Sequence, residues 1–378
     1  MAVKSEQLKT DTLLKGLLAF QAYSFNSENK GVAYEPDIFK ALFSSTKYFK
    51  GSDFNSYPGH TGLVRTMLQY HNQLYTGGSD GQILRWNSDD KTFSILLNNL
   101  QIVRKIVAKD QSLYCLTRTD IIKYDLFTGI SDIYPLLNLE INNLFITNAG
   151  KFLLVNSHSI IMTNDYKIPG VELFKGDVKI NATNYDSSSN NLFIALSNGK
   201  ILYWKDIQSE QDKYIEFANV PNSNWGDINY NPKRQILAAG YGNNQGAIYL
   251  WDLKTGELKQ SLRGHNGWIT GIDFSNDGSM MASSSYDGSV RLWHLDDLGT
   301  LPVVFDDHGT WVTSVIFTKD DKQIISGDKD GNIRKYYTDI KLLLDGFCSY
   351  LSSDLTQNEW QNYVGTDIPY KPSKCVNR

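Results

Sequence analysis

Seven short segments of this chain share one form, a turn followed by a β-rich run: QILRW, DIIKY, SIIMT, KILYW, AIYLW, SVRLW and NIRKY. Their last residues are Trp86, Tyr124, Thr163, Trp204, Trp251, Trp293 and Tyr336, at successive spacings of 38, 39, 41, 47, 42 and 43 residues. A period of roughly 40 to 45 residues is that of a four-stranded propeller blade, a unit that cannot bury its faces alone and needs neighbours of its own kind. Between the segments lie alternating apolar runs such as ITGIDF (269–274), SVIFT (314–318) and QILAAG (235–240), bounded by NDG, DDK and NPK turns. These runs read as the remaining strands of each blade. Seven units at this period predict an all-β chain closed into one ring of seven blades.

Composition suits many short strands joined by tight turns, with 22 Tyr, 17 Phe and 8 Trp, and 29 Gly against 9 Pro. A formal charge of -4 without a basic stripe sets nucleic acid aside as a partner. No run approaches the roughly 20 apolar residues of a membrane-spanning helix. The opening MAVKSEQLKTDTLLKGLLAFQAYSF is interrupted by Lys15 and lacks a small-residue cleavage site, so neither a signal peptide nor membrane contact is expected. Cys115, Cys348 and Cys375 are odd in number and far apart, so neither a disulfide framework nor a zinc site is expected. On that ground the chain reads as cytoplasmic, in a reducing compartment.

One stretch, GHNGWITGIDFSNDGSMMASSSYDGSVRLWHL (264–295), combines a His, a strand Ser, a turn Asp and a strand Trp: His265, Ser283, Asp287 and Trp293. The first blade repeats the arrangement with His60, Thr76, Asp80 and Trp86. The seventh has His308, Ser326 and Asp330, with Tyr336 where Trp would stand. This pattern resembles the WD40 repeat. The resemblance implies that the four residues form a structural tetrad in which imidazole, hydroxyl, carboxylate and indole satisfy one another inside the blade. The middle blades depart from it. Blades two, three and four lack the GH pair, blade three ends on Thr163, and blade five carries GYGNNQG (240–246) where the Asp would sit. Those blades are left to apolar packing and ladder hydrogen bonds, and their boundaries are least defined across 136–200.

The resemblance also implies that the last blade borrows a strand from the N-terminal side, for which SDFNSYPGH (52–60) has the right form. Residues 1–50 then form a helical N-terminal segment, the end of an upstream domain in this reading. Residues 51–338 form the seven-bladed propeller, and 339–378 a helical C-terminal tail packing on the propeller or on the N-terminal helices. LKTDTLLKGLLAFQAYSFN has apolar residues at helical spacing, and Pro36 and Asp37 open PDIFKALFSSTKYF as a helix start. Residues 340–351 and 354–364 read as helical too, with Thr356 ahead of Glu359 as a capping signal.

LLAFQAYSFN, PDIFKALFSS and the tail LTQNEWQNYVGTDIPYKPSKC (355–375) are similar to segments around the C-terminal WD40 region of bacterial STAND-type NTPase proteins. In the tail the similarity rests on Leu355, Thr356, Glu359, Trp360, Tyr363, Gly365, Pro369, Tyr370 and Cys375. It implies a propeller that senses a ligand or partner and regulates an upstream NTPase or effector, with this chain the C-terminal portion of a longer product. The chain has no GxxxxGK[ST], and GDKDGNIRK (327–335) does not place its Gly, Lys and hydroxyl as a phosphate-cradling loop needs.

No catalytic residue, metal ligand or cofactor is expected. The His, Ser and Asp trio recurs in three blades at similar offsets beside an aromatic, which a structural unit requires and a single active site does not. HExxH and close His/Cys clusters are missing, and the DG pairs at Asp80, Asp287 and Asp330 read as tight turns rather than calcium loops. Cys375 reads as a packed thiol or a bystander. Binding is what remains. Leu63, Trp268 and Trp311, three residues past each tetrad His, should open with Ser79, Tyr286 and Lys329 on one rim around the channel, where Trp and Tyr anchor partners. The competing placement packs both Trp residues between blades. Leu13, Leu14, Leu17, Phe20 and Tyr23 need cover from the propeller, from Trp360 and Tyr363, or from a further domain. The leading expectation is a non-catalytic binding and sensor module, a monomeric propeller that recognises a protein, a peptide or a small ligand. The alternative is a free-standing structural adaptor in a multiprotein assembly, and a propeller enzyme with a channel metal site is the third reading.

Overall fold

A four-stranded sheet with apolar residues on both faces has to be stacked on both sides, and the computed structural model of the chain contains seven of them, all antiparallel. The structure describes residues 1–32, 34–87, 91–136, 139–164, 170–209, 213–242, 246–373 and 375. Blade one comprises Val64–Tyr70, Gln73–Gly78, Ile83–Trp86 and Phe93–Leu97. Blades two to five follow through residues 105–135, 143–175, 180–219 and 225–262. Blade six comprises Ile269–Phe274, Met280–Ser285, Val290–His294 and Val303–Phe305. Blade seven takes Val312–Phe317, Gln323–Asp328 and Asn332–Tyr337 from its own stretch and completes itself with Ser56–Pro58 from the N-terminal side. Tyr57 faces Ile333 across that last pairing, so the two ends of the ring are joined through one sheet. Pro58 sits on the outer edge, where its missing N–H removes no ladder bond.

Burial follows position in the blade. The second strands Met280–Ser285 and Asn191–Leu196 are buried along their whole length, because neighbouring blades cover both faces. The outermost strands Ser131–Pro135 and Ile215–Asn219 are largely exposed. The innermost strands are sheet edges, whose free backbone groups need partners. Polar side chains about one repeat apart provide them: the Ile272 N–H donates to Asp227 at 2.7 Å, the Phe317 N–H to Asp273 at 2.7 Å, and the Ile106 N–H to Thr66 at 3.2 Å. The Thr270 hydroxyl donates to the Val312 carbonyl at 2.8 Å, and the Thr313 hydroxyl closes the ring onto the Val64 carbonyl at 2.5 Å.

Five innermost strands shift register at the same place, leaving Arg65, Asn181, Gly226, Thr270 and Thr313 as the extra residues. Such bulges re-aim a side chain at a rim. The long turn expected at 240–246 falls partly on Asn243, Asn244 and Gln245, which lie outside the described residues.

Three helices precede the ring where the sequence predicts two: α1 (Ala2–Gln7), α2 (Thr12–Glu28) and α3 (Pro36–Lys50). Asp11 caps α2 by accepting from the Leu14 N–H at 2.9 Å, and Pro36 opens α3. Lys15, which interrupts the apolar run, is buried against Glu6 at 3.3 Å and lies over the Tyr48 ring. After the ring come α4 (Ile340–Leu344), a 3-10 turn over Phe347–Tyr350, and α5 (Gln357–Tyr363) with a Thr356/Glu359 capping box. Residues of both ends share one apolar cluster with blades six and seven, and Phe25 packs on Trp360 at 5.9 Å.

One expectation is overturned here. Cys348 and Cys375, 27 residues apart, form a disulfide with their Cα atoms 5.0 Å apart. The tail doubles back after α5, held by the Trp360 indole N–H on the Ile368 carbonyl at 2.8 Å and the Ser373 N–H on Asp354 at 2.7 Å. Sequence distance therefore misjudged spatial distance, Cys375 is not a free thiol, and cysteine usage no longer argues for a reducing compartment. Among the described residues no helix is long and apolar enough to cross a membrane.

Candidate functional site

In blade one His60 Nδ1 faces the Asp80 carboxylate at 3.0 Å, and its Nε2 meets the Thr76 hydroxyl at 2.8 Å. The Trp86 indole N–H donates to that same hydroxyl at 2.9 Å. Every group in this chain has one compatible role: the indole donates to Thr76, the hydroxyl donates to Nε2, and Nδ1–H donates to the carboxylate. Blade six repeats it with His265 against Asp287 at 2.9 Å and Ser283 at 2.8 Å, and Trp293 on Ser283 at 2.9 Å. Burial holds both imidazoles below their ordinary pKa, opposed by the neighbouring Asp. Burial alone would raise Asp287, but the bonds from His265, Ser289 and the Asn266 N–H outweigh it and hold it well below the usual carboxylate range. Thr76, Ser283 and Ser326 are 0% exposed, so no substrate reaches these hydroxyls.

Blade seven corrects the sequence reading. His308 meets Ser326 at 2.7 Å, but its carboxylate partner is Asp328 at 2.9 Å, not Asp330. Asp328 ends the second strand, fully buried, and also accepts the Asp330 and Asn332 N–H groups, each at 2.9 Å. With that place filled from two residues earlier, Asp330 is exposed. Tyr336 does not simply copy the missing Trp either. It stacks on Phe305 at 4.2 Å and donates its hydroxyl to Asp307 at 2.7 Å. Asp307 stands where blades one and six have Gly59 and Gly264, and it also binds Arg334 at 3.2 Å and Lys47 of α3 at 3.7 Å. The substitution thus ties the helical segment to the ring. The glycines of these turns are required by geometry: Gly81 and Gly331 have φ of 73° and 88°, and a Cβ on either would press into a backbone carbonyl.

The six candidate rim residues do not behave alike. Leu63 and Ser79 are half-buried. Trp268, Tyr286 and Trp311 are 40%, 39% and 47% exposed, so neither Trp is packed away between blades. They form a ladder, Trp268 to Tyr286 at 6.4 Å and Tyr286 to Trp311 at 4.8 Å, with the Lys329 ammonium 4.7 Å above the Trp311 ring. Three large rings held open to solvent by rigid strand ends form a surface able to anchor a partner.

The ladder borders the mouth of the central channel, a concavity of about 520 Å³ lined among others by Leu63, Arg65, Lys179, Asn181, Trp268 and Tyr286. Sequence reasoning missed Arg65 and Asn181 because a bulge is invisible in an alternating pattern. Deeper in the channel, Lys105, Asp227 and Asp273 line a narrower space of about 360 Å³. Enclosure raises Asp227 to about 6 and Asp273 to about 7, opposed by the backbone N–H groups they accept and by Lys105. Among the described residues no group of three or more His, Cys, Asp and Glu side chains is placed to hold a metal ion.

Residues 256–294 and 299–336 match the family described as WD domain, G-beta repeat. The chain is 34% identical over 101 residues to the serine-threonine kinase receptor-associated protein of Gallus gallus, covering 26% of this chain and 27% of that protein. It is 28% identical over 134 residues to the Protein LST8 homolog of Drosophila melanogaster, covering 33% and 41%. The matches thus span well under two thirds of either relative. Both come from eukaryotes, and neither match supports the expected similarity of the tail to bacterial STAND-type proteins. The solved WD40 beta propeller domain of Doa1 superposes with a TM-score of 0.63 at 18% identity, over 76% of this chain and 96% of that one, a likeness of fold. With the tetrads, the sheet order and these matches together, the chain carries WD40 repeats in a seven-bladed β-propeller.

Proposed function

We propose that this chain is a non-catalytic adaptor that binds a protein or peptide partner on the channel rim of blades six and seven. The observation that carries it is the exposed ladder of Trp268, Tyr286 and Trp311, because large rings fixed by strand ends lose little conformational freedom on binding. The name of the receptor-associated relative from Gallus gallus fits such a role. The test is recovery of partners by the full chain against a Trp268→Ala/Trp311→Ala variant: recovery falls with the ladder gone, and unchanged recovery rejects this rim.

The finer sensor reading, in which occupancy is passed to an attached effector, has one observation in its favour. The helical ends pack on the same two blades that carry the ladder. It requires amide exchange in α2 and α3 to slow when a partner occupies the rim, and unaltered exchange leaves the plain adaptor.

A further inference from the structure

We propose that the channel mouth receives an acidic side chain of an extended peptide whose neighbouring apolar residue stacks on the Tyr286 and Trp311 rings. This deepens the adaptor reading and rests on it. The chain as a whole is acidic, with a formal charge of -4, yet the described residues lining the mouth include Arg65 and Lys179 and no Asp or Glu. Arg65 is exposed and stands on the bulge that turns its strand residue toward the mouth. Arg104 lies just below, fixed by bonds to the Ile141 carbonyl at 2.6 Å and Asn142 Oδ1 at 3.0 Å. Burial lowers its pKa first, Glu140 opposes that, and the charges of Arg118 and Arg65 reinforce it.

Trp225 lines the same concavity at 2% exposure, and its indole N–H has no acceptor among the described residues. Asn142, Asn181 and Asn224 amides fill the rest of the polar wall. A carboxylate entering this mouth pairs with Arg65 through its planar fork. Trp268 and Tyr286 belong to the same lining, so charge recognition and ring stacking fall within one peptide's reach. A nucleic-acid backbone needs a track of cations, whereas Arg65 and Lys179 suit one anionic group.

The experiment uses the full chain and fluorescein-labelled decapeptide pools of equal apolar content, acidic, neutral and basic, read by anisotropy. The acidic pool is expected to bind roughly tenfold or more tightly than the neutral one, with the advantage lost in Arg65→Gln/Lys179→Gln and shrinking as salt rises. Far-UV circular dichroism checks that the variants fold. Pools that bind equally, or a basic pool that binds best, overturn the acidic assignment. If that binding still vanishes in Trp311→Ala, the adaptor reading stands without it. Binding by no pool, or binding that neither variant alters, counts against both. A labelled oligouridylate that binds as tightly as the acidic pool overturns the peptide assignment.

Discussion

Replacing Asp328 with Ala should destabilise the ring severely, whereas the same change at Asp330 should hardly register. Asp328 is fully buried and accepts from His308 Nδ1–H and from the Asp330 and Asn332 N–H groups, all at 2.9 Å. Its removal forfeits a charge-assisted bond and leaves buried donors without acceptors, a combined cost of roughly 3 to 5 kcal/mol. Unfolding entropy of about 2.1 cal/mol/K per residue, scaled to 378 residues, gives about 0.8 kcal/mol/K, so Tm should fall by roughly 4 to 6 °C. Asp330 is exposed, and its loss should stay within about 0.5 kcal/mol. Differential scanning calorimetry of the two variants at one pH reads the difference. Equal shifts, or a larger loss at Asp330, would refute the tetrad assigned to blade seven.

Trp293→Phe removes the indole donor to Ser283 and should cost about 1 to 2 kcal/mol in urea denaturation, while Trp311→Ala on the open rim should cost less than half of that. The enclosed carboxyls Asp227 and Asp273, raised to about 6 and about 7, favour the folded state only while protonated. Their contribution is full below the unfolded carboxylate range near 3.9 and is lost as pH rises through 6 and 7. Asp273→Asn should therefore flatten the urea midpoint between about pH 4 and about pH 7 relative to the unchanged chain, and parallel profiles would contradict the assignment. The His265 imidazole acts in the opposite direction: held below its unfolded pKa near 6.5, it withdraws stability as pH falls through that value, and His265→Gln should remove this share. Reducing the Cys348–Cys375 disulfide reopens a 27-residue separation worth about 3.5 kcal/mol of chain entropy, so limited proteolysis should cut the tail after α5 faster once a reductant is added.

The parts of the fold that repeat were legible, because a blade depends on residues at nearly fixed offsets. Trp86, Trp293 and Tyr336 mark third strands, and His60 and His265 find their partners at the distances the spacing implies. What escaped the reading depends on contacts across the sequence. Asp328 and Asp330 lie two residues apart in one turn, and only the strand end decides which carboxylate reaches His308. A signal was present in Asp307, which replaces the glycine before His308 and so announces an altered blade. Cys348 and Cys375 meet because the tail reverses after α5, a turn no local pattern encodes. Arg65 and Asn181 read as ordinary alternating positions until the bulges aim them at the mouth.

The adaptor reading stands or falls on where a partner touches the ring. A photo-crosslinking amino acid in place of Tyr286, at the centre of the ladder, should capture the partner, and one in place of Val171 on the exposed outer strand of blade three should not. Equal capture at both positions, or capture at position 171 alone, would contradict the account.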